Sequence, residues 1–165
     1  MDIKIIYYSI IAILSGLIGY YWFYKLKNMI EEYLKFTCEI ISCKNLRKRS
    51  WISLYSRVEL EGSFNGRNAI AGVQYVGLGF EWMPLPYIKI KLKDVIRYNY
   101  DRIPDFTYIQ RGWLIFKIKD RFTWGVFDKR YSHFFTKEFV NVTLTRLAVI
   151  ADDIERGKTM EEIFK

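Results

Sequence analysis

The sequence predicts an α+β protein: one N-terminal transmembrane helix, then an antiparallel sheet domain of five to seven strands with a long C-terminal helix packed on it. Three observations predict it. Ile5 to Tyr24 is a 20-residue run without a charged side chain. The middle of the chain alternates apolar and polar residues between turn signals, and Val140 to Ile154 repeats apolar residues at spacings of three and four. The chain has 165 residues, about one domain's worth. With 51% hydrophobic residues it has enough apolar surface to offset the entropy of ordering.

At about 1.5 Å per residue, twenty residues span about 30 Å, the hydrocarbon thickness of a bilayer. Tyr7 and Tyr8 stand near one end of the run, and Tyr20, Tyr21, Trp22 and Tyr24 at the other. Such rings favour the interface between hydrocarbon and water. A cleaved signal peptide would need a small-x-small site after a shorter apolar core, and no Ala-x-Ala is present. Ala12 with Gly16, and Ser15 with Gly19, have the four-residue spacing that lets membrane helices approach closely. Lys25, Lys27 and Lys35 come after the run, against Lys4 and Asp2 before it. This excess places the folded domain in the cytoplasm.

Residues 1–27 are thus read as the anchor and 28–165 as a single α+β domain. Within that domain, 28–43 continues as an amphipathic helix. Ile30, Tyr33, Leu34, Thr37 and Ile41 lie on one face, and Asn28, Glu32, Lys35 and Glu39 on the other. Cys38 and Cys43, five apart on such a helix, point in nearly opposite directions, so neither a disulfide nor shared ligation is expected. Lys44 to Arg49 reads as a basic turn closing the helix.

A β region comes next, over 57–127. Asn65-Gly66 is the type I′ hairpin signal, because both turn positions need positive φ. The return strand places Ala69, Ala71, Val73 and Tyr75 on one face. Gly77, Gly79, Pro84 and Pro86 mark a loop over 77–86 whose apolar members are Leu78, Phe80, Trp82, Met83 and Leu85. That loop is a candidate partner-docking surface; capping of the domain's own core is the competing use. From Tyr87 to Lys93, Ile88, Ile90 and Leu92 point inward and Lys89, Lys91 and Lys93 outward. Two strands, 112–119 and 122–127, are expected around a Lys119-Asp120-Arg121 turn. The last long helix spans 136–156 with a core stripe of Val140, Leu144, Leu147, Ala151 and Ile154. Gly157 stops it, and Thr159 with Glu162 makes a capping box for a short final helix. Strands and then a closing helix resemble the pleckstrin-homology-like barrel in layout, and the resemblance goes no further than layout.

The chain carries 26 basic and 18 acidic residues, a net charge of +8. Lys44, Arg47, Lys48, Arg49, Lys89, Lys91 and Lys93 are the candidate contacts for an anionic lipid or another polyanion. Arg97, Arg102 and Arg111 interleave with Tyr98, Tyr100 and Tyr108, a mixture that serves packing more often than base stacking, so nucleic acid is not the expected partner. His133 is the only histidine, and its neighbour Ser132 points elsewhere on an extended chain, so neither is expected to be catalytic. Asp101 with Asp105 lacks the ligand run of a calcium loop, and Asp152, Asp153 and Glu155 read as the solvated side of a helix. No phosphate-binding, dinucleotide-binding or nucleophile-elbow motif is present. The expectation is a non-catalytic, single-pass accessory or scaffold subunit of a membrane complex, without cofactor or metal, that meets other subunits or a second copy of itself. An anionic-lipid-binding module is the alternative, and a membrane-anchored enzyme with an unrecognised site the third reading.

Overall fold

The structure is a computed structural model that describes residues 3–48, 57–78, 81–93, 107–117 and 132–163. It comprises a long helix α1 (Ile3–Ile40), strands β1 (Asn45–Lys48), β2 (Arg57–Phe64), β3 (Arg67–Leu78), β4 (Glu81–Lys91), β5 (Thr107–Gln110) and β6 (Trp113–Lys117), then helices α2 (Lys137–Glu155) and α3 (Met160–Ile163). The chain divides into two compact units, Met1–Glu32 and Tyr33–Lys165.

In the second unit the six strands form one antiparallel sheet in the order β1-β2-β3-β4-β6-β5. Asn65 and Gly66 both have positive φ, +48° and +73°, so the β2–β3 hairpin turns as its sequence requires. Residues directly opposite across strands share a face. One row runs Leu60, Ala71, Ile88, Phe116, Thr107, and the next Gly62, Ala69, Ile90, Leu114, Ile109. These rows form the core face, on which α2 packs against β4 and β6. All five residues of the expected α2 stripe are buried, and Ala148 joins them. Thr136 caps the helix: its hydroxyl accepts from Phe139 N–H at 3.2 Å and donates to the His133 carbonyl at 2.8 Å. At the other end Gly157 adopts φ +80°, and Gly157 and Lys158 donate back to Ile154 and Asp153. These are the two bonds of a Schellman stop. The capping box also forms: Thr159 N–H donates to Glu162, and Glu162 N–H to Thr159 Oγ1.

The structure corrects four local expectations. The loop expected over 77–86 is largely strand, because β3 runs to Leu78 and β4 starts at Glu81. Among the described residues, β6 pairs with Tyr87–Lys91. The two prolines, Pro84 and Pro86, pair with β3, opposite Tyr75 and Val73. The basic turn at Lys44–Arg49 becomes edge strand β1, zipped onto β2 with Asn45 opposite Glu61 and Arg47 opposite Glu59. The last described hairpin turns at Arg111-Gly112, with φ +51° and +76°, and joins β5 to β6. The strand expected at 122–127 and its turn at 119–121 lie outside the described residues.

The fourth correction concerns where the helix before the cysteines ends. Helix α1 ends at Ile40, and Ser42 takes φ +46°. Ser42 N–H then donates to Glu39 and Cys43 N–H to Cys38, the latter at 2.9 Å. This is again a Schellman stop, and it folds Cys43 back over Cys38 instead of carrying it round a continuing helix. The returning chain lies flat on β2. A Cβ on Gly62 would collide with the Ile41 carbonyl oxygen and come within 3.1 Å of the Cys43 Cα.

Candidate functional site

The apolar run Ile5–Tyr24 lies wholly within α1 and exposes its large side chains. Leu14, Leu17, Ile18 and Tyr20 are 53%, 60%, 58% and 71% exposed. The helix is long and apolar enough to cross a membrane. Ser15 turns its hydroxyl back to the Ala12 carbonyl at 2.9 Å, so its polar group is satisfied within the helix. An added Cβ at Gly16 or Gly19 would meet nothing within 4 Å, which leaves that face shallow. At the ends, Tyr7 and Tyr8 touch edge to face, as do Tyr21 and Trp22. Lys25 Nζ lies 5.2 Å over the Trp22 ring. An ammonium over an indole at the end of an apolar stretch joins an apolar ring to a group that needs water.

In the second unit the basic candidates separate. Lys44, Lys91 and Lys93 are exposed, whereas Lys89 is half-buried with its Nζ 4.9 Å over the Tyr87 ring. Arg47 and Lys48 lie in β1, and Arg49 lies outside the described residues. Of the apolar docking candidates, Leu85 is buried in β4 and offers no contact to a partner. Leu78, Trp82 and Met83 are strand residues, and Phe80 lies outside the described residues.

The sheet face opposite the α2 side carries a row that sequence reasoning does not find. Arg47, Glu59, Gly72, Tyr87 and Lys117 stand opposite one another across five strands. The Tyr87 ring lies across Gly72, and its hydroxyl donates to Glu59 Oε1 at 2.6 Å. The glycine is what permits this: a Cβ there would sit 2.9 Å from the Tyr87 hydroxyl and collide with the Val58 carbonyl oxygen. The signal is a glycine between two alternating apolar positions, where an aromatic on the next strand covers the gap.

A second missed constellation ties the hairpin to α2. Arg67 comes directly after the Asn65-Gly66 turn, and its side chain is only 2% exposed. It grips Glu155 with two bonds of 2.6 Å and also bonds Asp152. Lys93 N–H donates to the same Glu155 carboxylate at 2.6 Å. Hydrogen bonds from Arg67, and then from Lys93, outweigh desolvation and hold the Glu155 carboxyl below the usual glutamate range. The carboxylates make the Arg67 guanidinium still more basic than usual. Glu155 therefore belongs to a structural clamp, not to the solvated helix side expected of it, whereas Asp152 joins the clamp from the exposed side of the helix; Asp153 pairs with Lys158 at 2.8 Å.

Of the chemistry candidates, His133 is exposed and stacks edge to face on Phe139 at 5.4 Å. Asp101 and Asp105 lie outside the described residues, as do Arg97, Tyr98, Tyr100 and Arg102. The hydroxyls of Tyr33 and Thr37, one turn apart on α1, are fully buried and make no hydrogen bond among the described residues. Burial pushes the Tyr33 phenol far above its ordinary pKa. Compared with protein-family models, curated proteins and solved structures, the chain matches none.

Proposed function

We propose that the chain is a single-pass membrane-anchored, non-catalytic accessory subunit, with α1 crossing the bilayer at Ile5–Tyr24 and the sheet domain on the cytoplasmic side. The observation that carries this reading is the exposure of the uncharged stretch of α1, whose burial requires lipid or another protein. The rings at both ends and Lys25 over Trp22 suit the two interfaces of a bilayer. Lys25 and Lys27, on the carboxyl side of the span, favour the cytoplasm for the sheet domain. Interfaces concentrate Tyr, Trp and Arg, and the chain has 13 Tyr and 5 Trp. The test is extraction from native membranes in mild detergent, then native mass measurement. An assembly heavier than the 19.9 kDa chain supports the reading; a monodisperse single chain overturns the subunit role.

The exposure of Lys44, Lys91 and Lys93 favours a second reading, contact with anionic headgroups, each basic residue contributing about 1 kcal/mol near such a surface. Native mass spectra of the full chain in mixed neutral and anionic micelles test it. Anionic lipid retained by the natural chain and lost with Lys91→Ser and Lys93→Ser together supports it, and equal retention rules it out.

A further inference from the structure

We propose that Cys38 and Cys43 are a dithiol–disulfide pair, a reversible modification site at the end of α1 that exchanges with small peptide disulfides of the glutathione type. Neither cysteine is in a disulfide, and both are half-buried. They line one open cavity of about 590 Å³ together with Lys35, Glu39 and Ser42.

The pairing arises from how the helix stops. Cys43 N–H donates to the Cys38 carbonyl at 2.9 Å across the left-handed Ser42. With one backbone hydrogen bond joining the two residues, their Cα atoms cannot be more than about 7 Å apart. Disulfides take Cα separations of about 4.4–6.8 Å. In a Schellman stop these two positions are the ones whose side chains meet, usually as an apolar contact. Here both are thiols. The second wall of the cavity suits the reagent. Lys35 can meet a carboxylate of the peptide disulfide, and Glu39, which lies 3.8 Å from Lys137 Nζ, can meet its ammonium group.

The chemistry is two successive exchanges. One cysteine, as thiolate, attacks a sulfur of the peptide disulfide; an S–S bond forms to the protein and one peptide thiolate leaves. The second cysteine thiolate attacks the protein-side sulfur and expels the other peptide as thiolate. The two protons lost from Cys38 and Cys43 end on the two released thiols. The protein pair is oxidised by two electrons and the peptide disulfide is reduced by two.

The experiment uses the full chain in detergent micelles, equilibrated in glutathione buffers of graded redox poise, quenched with an alkylating agent and weighed intact. Both alkylation sites are expected to disappear together, leaving a chain two hydrogens lighter than the reduced form and carrying no glutathione. Cys38→Ser and Cys43→Ser are each expected to retain one glutathione in the same buffers, since the resolving thiol is gone. The proposal is overturned if the natural chain accumulates glutathione adducts on either cysteine. It is equally overturned if the disulfide forms between two chains, or if both thiols stay alkylatable in the most oxidising buffer.

Discussion

Helices α1 and α2 are both rich in apolar residues, yet they solve opposite problems. In α2 the stripe Val140, Leu144, Leu147, Ala151 and Ile154 recurs every three or four positions and is buried, while Glu138, Asn141, Thr145 and Arg146 stay in water and Val142 and Val149 are exposed. Between Ile5 and Tyr24, α1 is apolar on all sides, and its large side chains stay exposed. Periodicity marks a helix that completes its own protein's core; apolar content without periodicity marks one whose solvent lies elsewhere. The helix stops differ too. Gly157 supplies positive φ for α2 at no steric cost, while α1 uses Ser42 and accepts strain to turn onto β2.

Substitutions that treat the two helices alike should show how far this contrast goes. The largest effect is expected from Arg67→Met, which leaves Asp152 and Glu155 without their buried partner. Loss of one member of such a set costs about 3–5 kcal/mol, read by denaturant unfolding in micelles. The same clamp predicts a pH dependence. Glu155 is more acidic folded than unfolded, so its contribution is complete above the ordinary glutamate value of about 4.3 and fades as pH falls below it. Arg67→Met should flatten that acid limb; an unchanged limb would remove the clamp from the account.

Leu144→Ala, at a fully buried position of α2, should cost about 2–5 kcal/mol. Leu14→Ala, at an exposed position of α1, should shift the same unfolding curve by less than about 0.5 kcal/mol. Similar losses at both sites would erase the distinction between the helices. Leu14→Arg tests the other side of it, since a cation at the centre of a spanning helix costs about 2.5–3.5 kcal/mol of insertion. A glycosylation-tag insertion assay should register the drop. Smaller still, Thr136→Ala removes the α2 cap for about 1 kcal/mol. Tyr33→Phe should be neutral or stabilise by up to about 1 kcal/mol, because it deletes a buried hydroxyl without a described partner.

The features legible in the sequence are local ones. The Asn65-Gly66 turn, the α2 stripe, Gly157 and the Thr159–Glu162 box need only residues near in sequence, and each forms. The features that escape it depend on distant partners. Strand β1 is four basic and neutral residues that become a strand only because β2 offers a ladder. The prolines of β4 look like loop residues until β3 is seen to pair with them. Arg67 directly follows the Asn65-Gly66 turn, and nothing near it in sequence announces Asp152 or Glu155. The cysteines look divergent because apolar periodicity carries the helix on to Cys43, three residues beyond its actual end at Ile40.

The Arg67 clamp also sets an order of events during synthesis. Its partners lie 85 and 88 residues downstream. At about 5–20 residues per second, the ribosome needs roughly 4–18 s to deliver them after Arg67 emerges. Through that interval the nascent hairpin holds an unneutralised guanidinium where its interior will be, so the sheet cannot seal early. The domain closes last at the place where its chain is made last, by which time α1 has long left the ribosome.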